Sequence, residues 1–155
     1  MRAAALTALA VLNAGLALPA LAAQTPDEAA VVAARDAYVH AFNARDEAAS
    51  AAMCTKDTVI IDEFAPFVWQ GAKACSIWWE AEAADDAKNG ITGLRVTIDK
   101  PRALSVKGDR AYVVSPALAT YTQKGKPGKL PGEWTMAFVK TASGWQLTGW
   151  NWADH

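Results

Sequence analysis

The stretch AYVHAFNARDEAASAAMCTKDTVIID, residues 37–62, decides the reading of this chain. It runs from one helix, through a shorter one, into a β-rich segment that ends on a carboxylate. Tyr38, Ala41 and Phe42 continue a helical stripe begun by Val31 and Ala34, whereas Val59, Ile60 and Ile61 are the branched residues that favour strands. Asp46 is placed to cap the second helix, which is expected to run through Met53 and to end at Thr55-Lys56-Asp57. A phenol at Tyr38 and a carboxylate at Asp62 supply one proton donor and one base, the constellation in this chain that points to chemistry. Each also has an ordinary reading: Tyr38 as a core residue bonded to backbone, Asp62 as a turn acid.

Working towards the N-terminus, Thr25-Pro26-Asp27-Glu28 holds the hydroxyl, first-turn proline and acid that satisfy free N–H groups, so the first helix starts there. Arg35, Asp36, Asn43 and Arg45 fall mostly off its apolar stripe, and His40 lies opposite Tyr38, which predicts that it is exposed. Before this helix, Arg2 precedes an Ala/Leu/Val run ending in Pro19-Ala20-Leu21-Ala22-Ala23, the pattern of a bacterial-type secretory signal peptide over residues 1–23, cleaved after Ala22 or Ala23. The expectation is a periplasmic or secreted protein with one domain over residues 24–155 and no membrane attachment after cleavage. Of 15 basic and 16 acidic side chains, Arg2 lies in this leader, which leaves 14 against 16, a net charge near −2. That balance argues against nucleic acid as a partner.

Working towards the C-terminus, Thr58–Asp62 and Phe67–Gln70 flank Glu63-Phe64-Ala65-Pro66 and read as a hairpin. A third helix is expected from about Ala72 to Lys88, with Ile77, Trp78, Ala81 and Ala84 inward, Glu80, Glu82, Asp85 and Asp86 largely outward, and Asn89-Gly90 closing it. From Ile91 the period becomes that of strands: Leu94, Val96 and Ile98 alternate with polar residues, Pro101 interrupts, and Leu104 with Val106 resumes. Arg110–Gln123, Glu133–Lys140 and Trp145–Trp152 read as three further strands, with Lys124–Gly132 as a loop between the first two. Helices followed by hairpin-connected strands give an α+β domain with the helices on one face of an antiparallel sheet.

That order resembles the NTF2-like superfamily, and most nearly its SnoaL-like and DUF4440-type members, over about Asp27 to Ala153. Residues 37–62 and SGWQLTGWNWAD at 143–154 carry the likeness. It implies a cone-shaped curved antiparallel sheet that curls around a pocket roofed by three helices. Residues 37–62 are also similar to ketosteroid isomerase, whose oxyanion-hole tyrosine falls on Tyr38 and whose base falls on Asp62. The isomerase's second acid has no counterpart in Trp134-Thr135-Met136-Ala137-Phe138, where Met136 stands near its place, and Asn151 stands where other members carry histidine.

Tyr38 and Asp62 are thus expected to share a cavity with Phe42, Trp69, Trp78, Met136 and Asn151. The resemblance decides this, since turning Val59 and Ile61 inward would leave Asp62 in solvent. Seven tryptophans exceed what a core of this size needs, so some line a cavity or an interface, and a cavity walled by indoles suits a small, largely apolar ligand. Trp150 and Trp152 share a strand face and suit either that pocket or a homodimer contact. Two histidines, His40 and His155, and two distant cysteines offer no metal spacing, and there is no phosphate loop or nucleophile elbow. Two readings remain: cofactor-free proton transfer of isomerase or lyase type, and a non-catalytic binding or dimerisation module. Cys54 and Cys75 lie equally far from the hairpin tip, which predicts that they meet and, in an oxidising compartment, form a disulfide.

Overall fold

Thr25 and Glu28 exchange the two hydrogen bonds of a capping box, 3.2 and 2.7 Å, and open helix α1, Pro26–Ala44. The computed structural model describes residues 24–154, so the leader read over residues 1–23, like His155, lies outside the described residues. Arg45 ends α1 in the left-handed conformation, φ 56°. Asp46 then caps α2, Glu47–Ala52, by accepting from the Ala49 amide at 2.9 Å. Strands β1, Cys54–Ile61, and β2, Val68–Gln70, form the expected hairpin with Ile60 opposite Trp69. Helix α3, Ala74–Asn89, stops at Gly90, φ 68°. Strands β3, Ile91–Ile98, β4, Ala103–Lys107, β5, Arg110–Gln123, β6, Lys126–Thr141, and β7, Gly144–Asp154, complete the chain.

The described strands form one curved, unclosed sheet in the order β2-β1-β7-β6-β5-β3, with β4 also on β5. Every pairing is antiparallel except β1 with β7, where the chain returns parallel to its own beginning. This α+β arrangement is the one expected, and the parallel junction explains one glycine. A Cβ on Gly149 would sit 2.6 Å from the Val59 carbonyl oxygen. Across the inner face runs the row Leu104, Val113, Met136, Trp150, Ile60, Trp69, and against it pack Tyr38, Phe42, Trp78 and Trp79 from the helices.

Several local expectations change. β1 begins at Cys54, so Thr55-Lys56-Asp57 is strand: it crosses an irregularity between Cys54, which pairs with Leu147 of β7, and Val59, which pairs with Gly149. The supposed loop Lys124–Gly132 is mostly β6. Its prolines are tolerated because, among the described residues, Lys126 to Pro131 pairs with β5 alone. α3 is turned: Trp79 and Glu82 are buried while Ile77 and Ala84 are exposed. Two adjacent indoles bring more apolar area inside than Ile77 does, and Arg45 receives Glu82 in a two-pronged ion pair of 2.7 and 2.9 Å. Arg35, read as off the stripe, is 4% exposed. It donates to Ser115 Oγ at 2.6 Å and to the Asp99 carbonyl at 3.1 Å, and so ties α1 to β5 and to the break between β3 and β4.

Candidate functional site

Ile60 is fully buried, and in a strand the residue two further on shares its face, so Asp62 leaves β1 on the inner side. Val59 and Ile61 point out, Ile61 with 49% exposure. The Asp62 carboxylate accepts from Trp78 Nε1 and from the Glu63 amide, both at 2.9 Å. Burial pushes its carboxyl up to about 6 despite these two bonds, helped by the negative charges of Glu82 and Asp85.

Asp62 borders a cavity of about 150 Å³ walled by Phe42, Trp78, Trp134, Trp150 and Trp152. The rings meet edge to face: Trp78 with Trp150 at 4.9 Å, Trp134 with Trp150 at 5.5 Å and with Trp152 at 6.0 Å, Phe42 with Trp134 at 5.5 Å. Such pairs add about 0.5–1.5 kcal/mol each to the area they bury, which makes the wall stiff as well as apolar.

Of the residues expected in the cavity, Asp62, Phe42 and Trp78 border it. Tyr38, Trp69 and Met136 are buried but stand behind its lining. Tyr38 Oη accepts from Trp150 Nε1 at 2.9 Å, so the indole stands as a screen in front of the phenol. Burial raises the Tyr38 hydroxyl above its ordinary range; the bond from Trp150 lowers it less, and the charge of Asp62 adds to the rise. Trp69 packs on Phe64 at 5.0 Å, and Met136 lies opposite Trp150 in the sheet. Asn151 falls between two inward tryptophans and is therefore on the outer face, paired with Ile61 and Thr135.

Sequence reasoning passed over Glu63, Glu82, Asp85 and Asp86, which border the cavity, and the opposite wall of Leu94, Tyr121 and Leu130. The acids carried a signal, since Glu82 stands one turn after Trp78 and Asp85 and Asp86 one turn further on. Leu130 carried none, being hidden in the Pro/Gly segment. Cys54 and Cys75 are joined in a disulfide that ties β1 to α3, as their spacing predicted. Among the described residues no group of three or more His, Cys, Asp or Glu side chains is placed to hold a metal ion, and no helix is long and apolar enough to cross a membrane.

The comparison with curated proteins yields no match. Among solved structures the chain is similar to a ketosteroid isomerase-like protein from Erwinia carotovora atroseptica, with 21% identity, TM-score 0.67, and 84% of this chain and 98% of that one covered. It is similar to an NTF2-like superfamily protein from Salmonella enterica, with 14% identity, TM-score 0.66, and 82% and 89% covered. It is also similar to the CaMKII hub of S. rosetta, with 20% identity, TM-score 0.68, and 86% and 100% covered. At these identities the likeness is one of fold. In sequence, the SnoaL-like domain matches residues 31–151, from the inward stripe of α1 to the outward Asn151 of β7. Architecture and sequence agree, and the chain belongs to the SnoaL-like domain family.

Proposed function

We propose that this protein holds a small, largely apolar molecule in the aromatic cavity, after export to the periplasm or beyond. The observation that carries the reading is the cavity itself: about 150 Å³, bounded by four tryptophans and Phe42. A volume of this size accepts a single ring. Tryptophan fluorescence gives the test, because a bound ring perturbs Trp78, Trp134 and Trp150 together. Saturable quenching by a single-ring hydrophobe, lost in Leu130→Trp where the new indole fills the space, is the expected result. No saturable change with any apolar ring would end the reading. Export is tested separately: expression of the full chain in a bacterium should give a periplasmic product beginning at Ala23 or Gln24.

A second reading, cofactor-free proton transfer of isomerase or lyase type, is favoured by the Asp62 carboxylate at the cavity wall with its carboxyl at about 6. Asp62 is the base in this reading, and Tyr38 supports the site only through Trp150. Asp62→Asn should then abolish deuterium exchange at an acidic C–H of a bound ketone while leaving ketone affinity within about threefold. Exchange that persists in this variant would remove Asp62 from the role.

We also propose that two copies pair through the outer sheet face. Val59, Ile61, Val68 and Tyr112 are exposed there, around the small Ala137 and Gly149. Ile61→Lys should convert a dimer in sedimentation to a folded monomer, and a wild-type monomer at all accessible concentrations would refute the pairing.

A further inference from the structure

The cavity has aromatic walls and an acidic rim, and the two together select a charge. Asp62, Glu63, Glu82, Asp85 and Asp86 all border it, and among the described residues no lysine, arginine or histidine does. The arginine at the rim, Arg45, is engaged from behind: it bonds both Glu82 oxygens, lies 3.7 Å from Asp86, and rests over the Trp79 ring at 5.0 Å. This guanidinium is thus paired with two of the five carboxyl groups, Glu82 and Asp86, and leaves the other three. Glu63 and Asp86 are raised like Asp62, by burial first and then by acidic neighbours, Asp86 to about 6 even with Arg45 beside it. The site as built disfavours its own negative charge.

Behind this rim the surface is made of indole and phenyl rings, whose faces carry the negative end of a quadrupole. Carboxylates and aromatic faces attract the same thing, a positive charge, and weakly hydrated organic cations gain most from both. A metal ion does not fit, since the carboxylates do not converge on one point. Two further groups stand unused: the indole N–H groups of the cavity-wall residues Trp134, 2% exposed, and Trp152 are buried without a partner among the described residues.

We propose that the ligand of this cavity is a small organic monocation, an alkyl- or aryl-ammonium with an apolar body. Its nitrogen lies at the carboxylate rim and its methyl groups or ring lie against Trp78, Trp134 and Trp150. The inference rests on the pocket reading above and adds the sign of the ligand's charge. A cavity large enough for one benzene ring also suits a trimethylammonium group, which has a similar volume.

The test uses the mature, oxidised protein at pH 8 and low salt, titrated calorimetrically with two probes of nearly one shape. Phenyltrimethylammonium carries the charge and tert-butylbenzene does not. The expected result is that the cation binds about tenfold more tightly than its neutral isostere. Glu63→Gln with Asp85→Asn should weaken the cation about fivefold and leave the isostere unchanged. Equal or tighter binding of the neutral probe overturns the charge preference and leaves the pocket reading standing. Binding of neither probe overturns both. A loss in the double variant that is the same for both probes shows a structural effect and also overturns the proposal.

Discussion

Trp150 Nε1 donates to Tyr38 Oη at 2.9 Å, and the same indole stands edge to face with Trp78 and with Trp134. The phenol therefore holds a wall of the cavity in place. Tyr38→Phe leaves that indole N–H buried and unpaired, so the variant should lose about 1–2 kcal/mol in urea unfolding. Its affinity for a cavity ligand should stay within about twofold, since the hydroxyl lies behind the lining.

Stability should fall as pH rises through the Asp62 transition. Between its ordinary 3.8 and the folded value of about 6, the folded chain keeps a proton that the unfolded chain has released. The folded state is thus favoured below pH 4 and loses that advantage by about pH 6, a change of order 2–3 kcal/mol. Asp62→Asn should reduce the slope of this part of the urea-midpoint profile without abolishing it, because Asp86 and Glu63 are shifted in the same direction. The amide still accepts from Trp78 but gives up the Glu63 amide bond, so the net gain at pH 7 should be about 1 kcal/mol.

The Arg45–Glu82 pair should prove costly to break from one side. Glu82 is buried, whereas Arg45 is partly in water. Arg45→Met leaves a buried carboxylate alone and should cost about 2–3 kcal/mol, less than a fully buried pair. Glu82→Gln in that background should restore more than half of the loss, a coupling that a double-mutant cycle measures directly.

Reduction should weaken the protein without unmaking the fold. The Cys54–Cys75 bridge spans 21 residues, and closing a loop of that length in the unfolded chain is worth about 3 kcal/mol. Cys54→Ser with Cys75→Ser should lower the unfolding free energy by about that amount. The wild type in dithiothreitol should behave like the variant.

What the sequence made legible was whatever depends on periodicity and symmetry. The hairpin register and the two cysteines equidistant from its tip follow from a period of two and one turn; that period also ties Asp62 to the face of Ile60, but the likeness to ketosteroid isomerase is what chose the inward face. The rotation of α3 did not follow, because Trp78 and Trp79 are adjacent and a helical stripe can centre on either. Glu82 and Arg35 misled for a shared reason: each is charged, and each is inside because a partner distant in sequence, Arg45 or Ser115, receives it. Asn151 was drawn inward by likeness to other members, although the alternation of Trp150 and Trp152 sets it on the opposite face.

The strand from Lys126 to Pro131 forms one lip of the cavity through Leu130, and among the described residues only one of its edges is paired. An unpaired edge beside an apolar opening is where chains zip together into fibres. Here Pro127 and Pro131 have no amide hydrogen to offer, and Lys126 and Lys129 repel a second copy of themselves. The lip can thus stay open without inviting a neighbouring strand, and this segment guards the chain against edge-to-edge association at the point where the cavity leaves it most exposed.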